Sequence, residues 1–202
     1  MKIIKILIAG YFSCVASLSM GAVDVLSFGA KGDGKTLDTA AIQKAIDKAA
    51  ERGGEVRLST GTYLSGTLVL KDNVTLYLER GAVLLASTRL EDYPPTPSHY
   101  ISHINRYTRS SLIYAEGVKN ISIIGEGIID GQGTHSSFKA DEKDELKSIL
   151  RRPYVIRVIS CDQIKISGVT LRNSPAWMQH YQNCSNLLVD GITVFNHGNY
   201  NN

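Results

Sequence analysis

Short runs of alternating apolar and polar residues fill most of the chain, and several of them recur in the same order. Three segments align without gaps over their first half, namely LIYAEGVKNISIIGEGIID from Leu112, VIRVISCDQIKISGVTLRN from Val155 and MQHYQNCSNLLVDGITVFN from Met178. The last two copies begin 23 residues apart. A looser copy, NVTLYLERGAVLLAS, begins at Asn73. Alternation with a period of two predicts β-strands, and a repeat of this length predicts stacked structural units.

Each of the three copies carries turn-forming residues at matching positions. The first shared position holds Asn120, Gln163 and Asn186, the second holds Gly125, Gly168 and Gly191, and the third holds Asp130, Asn173 and Asn196. Asparagine and glycine tolerate left-handed backbone geometry, so these positions predict corners between short strands. Coils stacked about 4.8 Å apart would satisfy each other's backbone groups. The pattern therefore favours a parallel β-solenoid, an all-β fold, over the alternative of an antiparallel β-sandwich.

One segment before the repeats has helical spacing instead. In LDTAAIQKAIDKAAERGG, the apolar residues Ile42, Ala45, Ile46 and Ala49 form a single stripe. Asp38 stands at a good N-cap position, and Gly53 can close the C-terminal end. A one-faced helix placed before a solenoid is suited to cover the first coil, which otherwise exposes its strand edges and core. We expect an N-terminal capping α-helix.

The first 22 residues have the features of a secretory signal peptide. Lys2 and Lys5 precede the apolar run ILIAGYFSCVASLSM, which is too short to span a membrane and is followed by small residues. A retained membrane anchor is the alternative. We expect residues 1–22 to be removed, and residues 23–202 to form part of one solenoid domain. That domain is expected to be secreted or periplasmic, monomeric and not attached to a membrane.

The last residues, NHGNYNN, directly follow the apolar strand LLVDGITVF. A helix covers the first coil, but no comparable segment follows the last one. We therefore expect the chain to stop inside a stack of coils, as the N-terminal part of a longer β-solenoid.

Charge and cysteine content narrow the function classes. Loss of the two signal-peptide lysines lowers the net charge from +3 to +1, which does not indicate a nucleic-acid binder. Of the three cysteines, Cys14 belongs to the signal segment, and Cys161 and Cys184 occupy one repeat position. Stacked coils would bring these two within disulfide range, although free thiols fit equally well.

The repeat alignment also predicts a functional column. Tyr114, Arg157 and His180 share one position, two residues into each copy. An arginine and a histidine on neighbouring coils would give adjacent hydrogen-bond donors that suit a carboxylate. An ordinary solvated face is the alternative. His99 and His103 have the spacing of a helical metal site, but neighbouring prolines disfavour a helix there, so no metal or other cofactor is expected.

Two stretches fit no coil, namely Glu91–Ser110 and Thr134–Arg152. Segments of this length within a compact domain are commonly functional. On a solenoid they would project as the walls of a groove. The first carries three tyrosines and the second is rich in charge, which suits a long anionic polymer better than a small metabolite.

Several motifs resemble a known family. FGAKGDGKTLDTAAIQKAID is similar to the N-terminal cap of pectin-lyase-fold proteins. YLSGTLVLKDNVTLYLERGAVLLAS, GEGIIDGQG and NSPAWMQHYQNCSNLLVDGITVFN, in this order, resemble polygalacturonase-type enzymes of glycoside hydrolase family 28. The likeness runs from about Val25 to Asn202.

The resemblance implies a right-handed, pectin-lyase-like parallel β-helix that hydrolyses α-1,4 links between galacturonates in pectin or polygalacturonate, with inversion at the anomeric carbon. Together with the column it suggests substrate contacts from His180, Arg157, Trp177 and Asn201. The family pattern continues with Asn-x-Asp-Gly, paired aspartates, Gly-His-Gly and Arg-x-Lys. NYNN matches only the beginning of the first motif, with Asn201 at its asparagine. We therefore expect no catalytic residue in this chain and no hydrolase activity from it alone.

Two other classes share the fold. A non-catalytic β-helix of the adhesin or tailspike type would bind polysaccharide without cutting it. A pectate lyase would need clustered carboxylates for calcium, which the sequence lacks. The sequence leaves open exo or endo cleavage, and whether the substrate is galacturonan, rhamnogalacturonan or xylogalacturonan.

Overall fold

The computed structural model describes residues 21–100, 109–138 and 152–197. Residues 1–20 of the predicted signal peptide, His103 and Asn201 lie outside these ranges. Across the described part of the chain, no helix has the length and apolar character needed to cross a membrane.

The described residues form short strands, one α-helix and three short 3-10 helices. The strands are β1 (Val23–Asp24), β2 (Asp33–Leu37), β3 (Gly54–Leu58), β4 (Gly61–Ser65), β5 (Leu68–Val69), β6 (Val74–Leu78), β7 (Ala82–Ala86), β8 (Ser111–Glu116), β9 (Lys119–Gly125), β10 (Ile128–Asp130), β11 (Tyr154–Ile159), β12 (Asp162–Ser167), β13 (Thr170–Arg172), β14 (Gln179–Gln182), β15 (Ser185–Asp190) and β16 (Thr193–Phe195). The helix is α1 (Thr39–Ala50), and the 3-10 turns are Val25–Phe28, Leu90–Asp92 and Ser136–Phe138.

The strands build three parallel sheets around one core. Sheet A has the order β1-β3-β6-β9-β12-β15, sheet B has β2-β4-β7-β10-β13-β16, and sheet C has β5-β8-β11-β14. Each later coil gives one strand to each sheet, as β8, β9 and β10 do, and every pairing is parallel. The predicted parallel β-helix is confirmed, and the antiparallel sandwich is excluded.

Inward-facing residues of successive coils stack into continuous apolar columns. In sheet A, Val56 pairs with Leu76, Leu76 with Ile123, and the column continues through Ile166. All four side chains are buried. Burial of each such side chain contributes roughly 1.5–3 kcal/mol, so the stack holds the coils in register.

The corner between sheets C and A has the predicted left-handed geometry. Asn73, Asn120, Gln163 and Asn186 have φ values of 59°, 54°, 57° and 50°. Asn120 Nδ2 donates a hydrogen bond to Asn73 Oδ1 at 3.0 Å, which links two coils through their side chains. The next corner requires glycine, because a Cβ on Gly125 would lie 2.0 Å from the carbonyl oxygen of Leu78.

The predicted equivalence of Asp130 and Asn173 at the third repeat position is wrong by one residue. Ile124 pairs with Ser167, but Ile128 pairs with Thr170, so the earlier coil holds one extra residue between β9 and β10. Asp130 therefore lies opposite Arg172 rather than Asn173. Its carboxylate accepts hydrogen bonds from Arg172 Nε at 2.7 Å and Asn173 Nδ2 at 3.1 Å.

The capping helix is confirmed and Asp38 occupies its N-cap position, but its side chain does not cap the helix. Helix α1 begins at Thr39 and buries its predicted apolar stripe. Asp38 makes no side-chain cap hydrogen bond to the helix. Its carboxylate, 2% exposed, instead accepts from the backbone N–H groups of Lys31 at 2.7 Å and Gly32 at 3.0 Å. Asp38 thus fixes the preceding loop against the helix.

Candidate substrate-binding site

The predicted functional column is present on sheet C. Arg157 on β11 lies directly opposite Tyr114 on β8 and His180 on β14. Val69 on β5 pairs with Tyr114 and extends the column by one coil. We call Val69, Tyr114, Arg157 and His180 the central column. Its neighbours are separated by about 4.8 Å, the spacing of hydrogen-bonded strands.

Three rings cluster at one end of the central column. The Tyr154 and Trp177 rings stack with centroids 5.4 Å apart, and the Tyr154 and His180 rings stack at 5.2 Å. Trp177 and His180 are 5.4 Å apart with tilted planes. Tyr154 is buried and supports the cluster, whereas Trp177 and His180 are partly exposed and offer the kind of aromatic and polar groups that line ligand sites. This ring cluster includes two of the predicted contacts, Trp177 and His180.

The His180 imidazole is half-buried and lacks a complete set of hydrogen bonds. Burial, and then the Arg157 cation, lower the pKa of His180 below its ordinary value, which favours the neutral ring. Its Nδ1 atom is buried and has no hydrogen-bond partner among the described residues. A neutral imidazole offers one donor and one acceptor. Because the residue is partly exposed, the accessible edge of the ring can make a further polar contact beside the ring cluster.

Arg157 is placed differently from the expectation of a solvent-facing donor. Its side chain is buried, and its Nη1 donates hydrogen bonds to the Thr96 carbonyl at 2.8 Å and to Thr96 Oγ1 at 3.2 Å. The guanidinium also lies 5.4 Å above the Tyr114 ring centroid. Burial lowers the pKa of Arg157 from its usual high value. The predicted substrate contact therefore lies beneath a loop that it helps to hold.

Glu116 is the acidic residue that the column analysis missed. Its carboxylate accepts hydrogen bonds from Tyr114 Oη at 2.5 Å, the His99 N–H at 2.7 Å and Ser98 Oγ at 3.0 Å. Burial alone would raise the pKa of Glu116, but these hydrogen bonds outweigh burial and hold the pKa below its usual range. The same burial, with the Glu116 contact, raises the pKa of Tyr114. The Glu116 carboxylate is therefore held in its ionised form, and both of its oxygens already accept hydrogen bonds.

The described sheet C strands carry no second acid beside Glu116. Asp130 lies on sheet B with its carboxylate bonded to Arg172 and Asn173, and Asp190 lies on sheet A. The acidic run around residues 141–145 falls outside the described ranges. A pair of carboxylates facing each other across this sheet is therefore absent from the described residues.

Among the described residues, the remaining sequence candidates form neither a cluster of metal ligands nor a disulfide. His99 Nδ1 lies 3.6 Å from Glu116 Oε2, and no group of three potential ligands occurs within residues 21–100, 109–138 and 152–197. The sequence left a disulfide and two free thiols open for Cys161 and Cys184, and in the structure both are free thiols. Asn201 lies outside the described residues.

Part of this site could have been predicted from the sequence repeat. Tyr154 and Trp177 stand 23 residues apart, like Arg157 and His180, so the period could have paired the two rings. Glu116 follows Tyr114 by two residues on the same strand, which puts both on one face. The loop contact to Arg157 had no such signal, because Thr96 belongs to no coil.

Comparison with known proteins agrees with this architecture. A sequence model of a family described as rhamnogalacturonase A/epimerase, pectate lyase-like, matches residues 22–200. A Vitis vinifera protein described as a probable polygalacturonase is 35% identical over 94% of this chain and 40% of its own length. An exo-poly-alpha-D-galacturonosidase of Dickeya chrysanthemi is 39% identical over 76% of this chain and 26% of its own length.

A solved structure supports the same relationship. The family 28 exopolygalacturonase of Yersinia enterocolitica superposes with a TM-score of 0.71 and 29% identity, covering 87% of this chain and 39% of that one. The chain thus spans well under half the length of these three relatives.

Proposed function

The chain belongs to the rhamnogalacturonase A/epimerase, pectate lyase-like family, and from this we propose that it supplies the N-terminal coils of a pectin-degrading glycoside hydrolase. The bond cleaved is the α-1,4 link between galacturonates. The observation that carries the proposal is the placement of the partly exposed His180 ring beside Trp177, on the face of sheet C that carries the central column.

The chemistry of this placement suits an acidic sugar. The partly exposed Trp177 ring offers an apolar surface to a pyranose, and His180 offers a polar contact beside it. The buried Arg157 cation on the neighbouring strand contributes positive charge beside His180, which favours a galacturonate carboxylate there. We propose His180 and Trp177 as direct contacts, Arg157 as a contact that acts through its charge, and Asn201 as a further contact.

Inverting hydrolysis needs an acid and a base, with carboxyl groups roughly 6.5–9.5 Å apart. Glu116 is the one acid on the described sheet C strands, and three hydrogen bonds already hold it as an anion. We therefore propose that the catalytic carboxylates are not among these 202 residues. The chain alone binds galacturonan and leaves it intact.

The proposal includes the processing of the chain. Residues 1–22 act as a signal peptide, and the solenoid that begins at residue 23 works as a secreted or periplasmic monomer on plant cell-wall pectin. Neither a metal nor an organic cofactor takes part in the reaction.

The test compares the 202-residue chain with a version extended by the downstream reading frame. Both are assayed for reducing ends released from polygalacturonate and for retention on immobilised polygalacturonate. We expect retention of both and release by the extended protein alone. Retention without release by the extended protein would favour the non-catalytic polysaccharide binder. Release by the 202-residue chain would contradict the proposed location of the catalytic carboxylates.

A further inference from the structure

Trp177 is the only tryptophan of the chain, and its place depends on the turn just before it. Residues 173–176, which we call the platform turn, lead from β13 on sheet B towards Trp177 and β14 on sheet C. Ala176 is buried, and the Trp177 carbonyl accepts a hydrogen bond from the Val155 N–H at 3.0 Å. The backbone around the ring is therefore fixed, so the residues that shape the platform turn decide where the ring lies.

A buried carboxylate on the preceding coil holds the start of the platform turn. Asp130 Oδ2 accepts a hydrogen bond from Arg172 Nε at 2.7 Å. Its Oδ1 accepts from Asn173 Nδ2 at 3.1 Å and from the Gln132 N–H at 2.9 Å. Asn173 has a φ of 53°, a left-handed conformation that needs support in a residue other than glycine. The charge-assisted contact with Asp130 supplies that support.

The residues after Asp130 pack directly against the same turn. The Gly133 N–H donates to the Asn173 carbonyl at 2.6 Å. A Cβ on Gly133 would lie 2.3 Å from the Ser174 carbonyl oxygen, and a Cβ on Gly131 would lie 2.8 Å from Pro175 Cδ. Only glycine allows two backbones to approach so closely. Both glycines of the GQG sequence are thus explained by contact with the platform turn.

The following coil holds the platform turn from its other side. Asn196 Oδ1 accepts a hydrogen bond from the Ser174 N–H at 2.8 Å, and the Phe195 carbonyl accepts one from the Asn173 N–H at 3.1 Å. Asp130 and Asn196 therefore clamp the turn between two neighbouring coils.

Stacking of the coils does not itself require a carboxylate at this position. Asp130 pairs with Leu85 on β7, and Leu85 pairs with Leu64 on β4. The two earlier coils therefore carry an apolar side chain at the same place in sheet B. The carboxylate occurs on the coil that directly precedes the platform turn, and its donors include the first residue of that turn. Its charge thus serves the turn rather than the sheet.

We propose that Asp130 is a positioning residue, whose carboxylate fixes the platform turn and thereby holds the Trp177 ring where a galacturonate lies against it. Asp130 does not itself touch the sugar. The inference rests on the proposed function, because it takes Trp177 as a sugar contact. It adds a residue of sheet B to the determinants of binding on sheet C.

Tryptophan fluorescence of the folded chain tests this directly, because it reports Trp177 alone. Asp130→Asn keeps the size of the side chain but removes its charge and replaces one acceptor by a donor. Gly133→Ala displaces the same turn without altering the carboxylate. In both variants Trp177 should be quenched more strongly by acrylamide, and its emission maximum should shift. Glu79→Gln is the matched control, because Glu79 also pairs with an arginine of a neighbouring coil, Arg57 at 3.3 Å, far from this turn in the sequence.

Binding to galacturonate oligomers, followed by calorimetry, provides the second readout. The dissociation constant should rise roughly two- to tenfold in Asp130→Asn and in Gly133→Ala, the scale of ordering one side chain on binding. The Glu79→Gln variant should bind like the unchanged chain. Arg172→Gln, which removes one donor to the same carboxylate, replaces Asp130→Asn if that variant does not fold.

Three outcomes decide the inference. Changed Trp177 emission together with weaker binding in both variants supports it. Variants that unfold at lower denaturant concentration, but keep the emission, quenching and dissociation constant of the unchanged chain, would make Asp130 a purely structural residue. That result would overturn the inference and leave the proposed function standing. Failure of the unchanged chain to bind any galacturonate oligomer would overturn the proposed function, and the inference with it.

Discussion

Arg157 and His180 lie directly opposite each other on the parallel strands β11 and β14, although 23 positions separate them in the chain. The guanidinium is buried beneath Thr96, and the imidazole is half-buried beside Trp177. One member of the pair therefore holds a loop, and the other remains able to meet a ligand. The division of roles follows from the contact with Thr96, which Arg157 makes and His180 does not.

His180→Ala should weaken the binding of galacturonate oligomers by about tenfold or more, the scale of losing one good polar contact together with ring packing. Calorimetry with the 202-residue chain measures this. His135→Ala is the control, since His135 is exposed and its imidazole hydrogen-bonds only to Ser137 among the described residues. Equal affinities for the two variants would remove His180 from the site.

The lowered pKa of His180 predicts a pH dependence of stability. Between the folded pKa and the ordinary value of about 6.5, the unfolded chain binds a proton that the folded chain refuses. Protonation therefore favours unfolding, and the free energy of unfolding should fall as the pH drops through about 6.5. Urea titrations of the chain and of His180→Gln over this window measure the effect. The variant should lose less stability in acid, and an identical slope in the two proteins would contradict the folded-state environment of His180.

Two glycine substitutions separate backbone strain from steric collision. Gly125→Ala should destabilise the chain by more than about 3 kcal/mol, because its Cβ would collide with the Leu78 carbonyl as well as demanding positive φ. Gly117→Ala should cost only about 1 kcal/mol, since Gly117 also has positive φ but faces open space. Denaturant unfolding compares them. Equal losses would mean that the coils are not stacked as closely as described.

Asp38 offers a test of its corrected role. If it capped helix α1, Asp38→Ser would be tolerated, because serine is an equally good N-cap. The structure instead predicts a loss of about 1–3 kcal/mol for both Asp38→Ser and Asp38→Ala, because neither replacement reaches the Lys31 and Gly32 amides. Thermal unfolding of the two variants decides between these roles, with full stability of the serine variant counting against the loop contact.

The sequence predicted the features that repeat and missed those that do not. Stacked coils carry equivalent residues into equivalent places, so the period alone put Arg157 opposite His180 and placed Asn120 at a left-handed corner. The one-residue shift at Asp130 arose because Gly125-Glu126-Gly127 is longer than the matching corner, which alignment of the strands does not reveal.

The contact between Thr96 and Arg157 could not be predicted from the sequence for a different reason. Thr96 is 61 positions from Arg157, and nothing periodic connects them. An arginine on an outward column predicts a solvent-facing donor by default. In the folded protein a non-repeating segment that contains Thr96 lies over Arg157, and this changes the function assigned to Arg157.

The proposed function requires an acidic sugar to bind beside His180 on sheet C. The most direct measurement is an NMR titration of the His180 imidazole with a short galacturonate oligomer, with the uncharged galactose oligomer as control. We expect a saturable shift of the His180 resonances with galacturonate, no comparable shift of the His135 resonances, and a much weaker response to galactose. Saturable galacturonate binding that leaves the His180 resonances unmoved, or no binding at all, would contradict it.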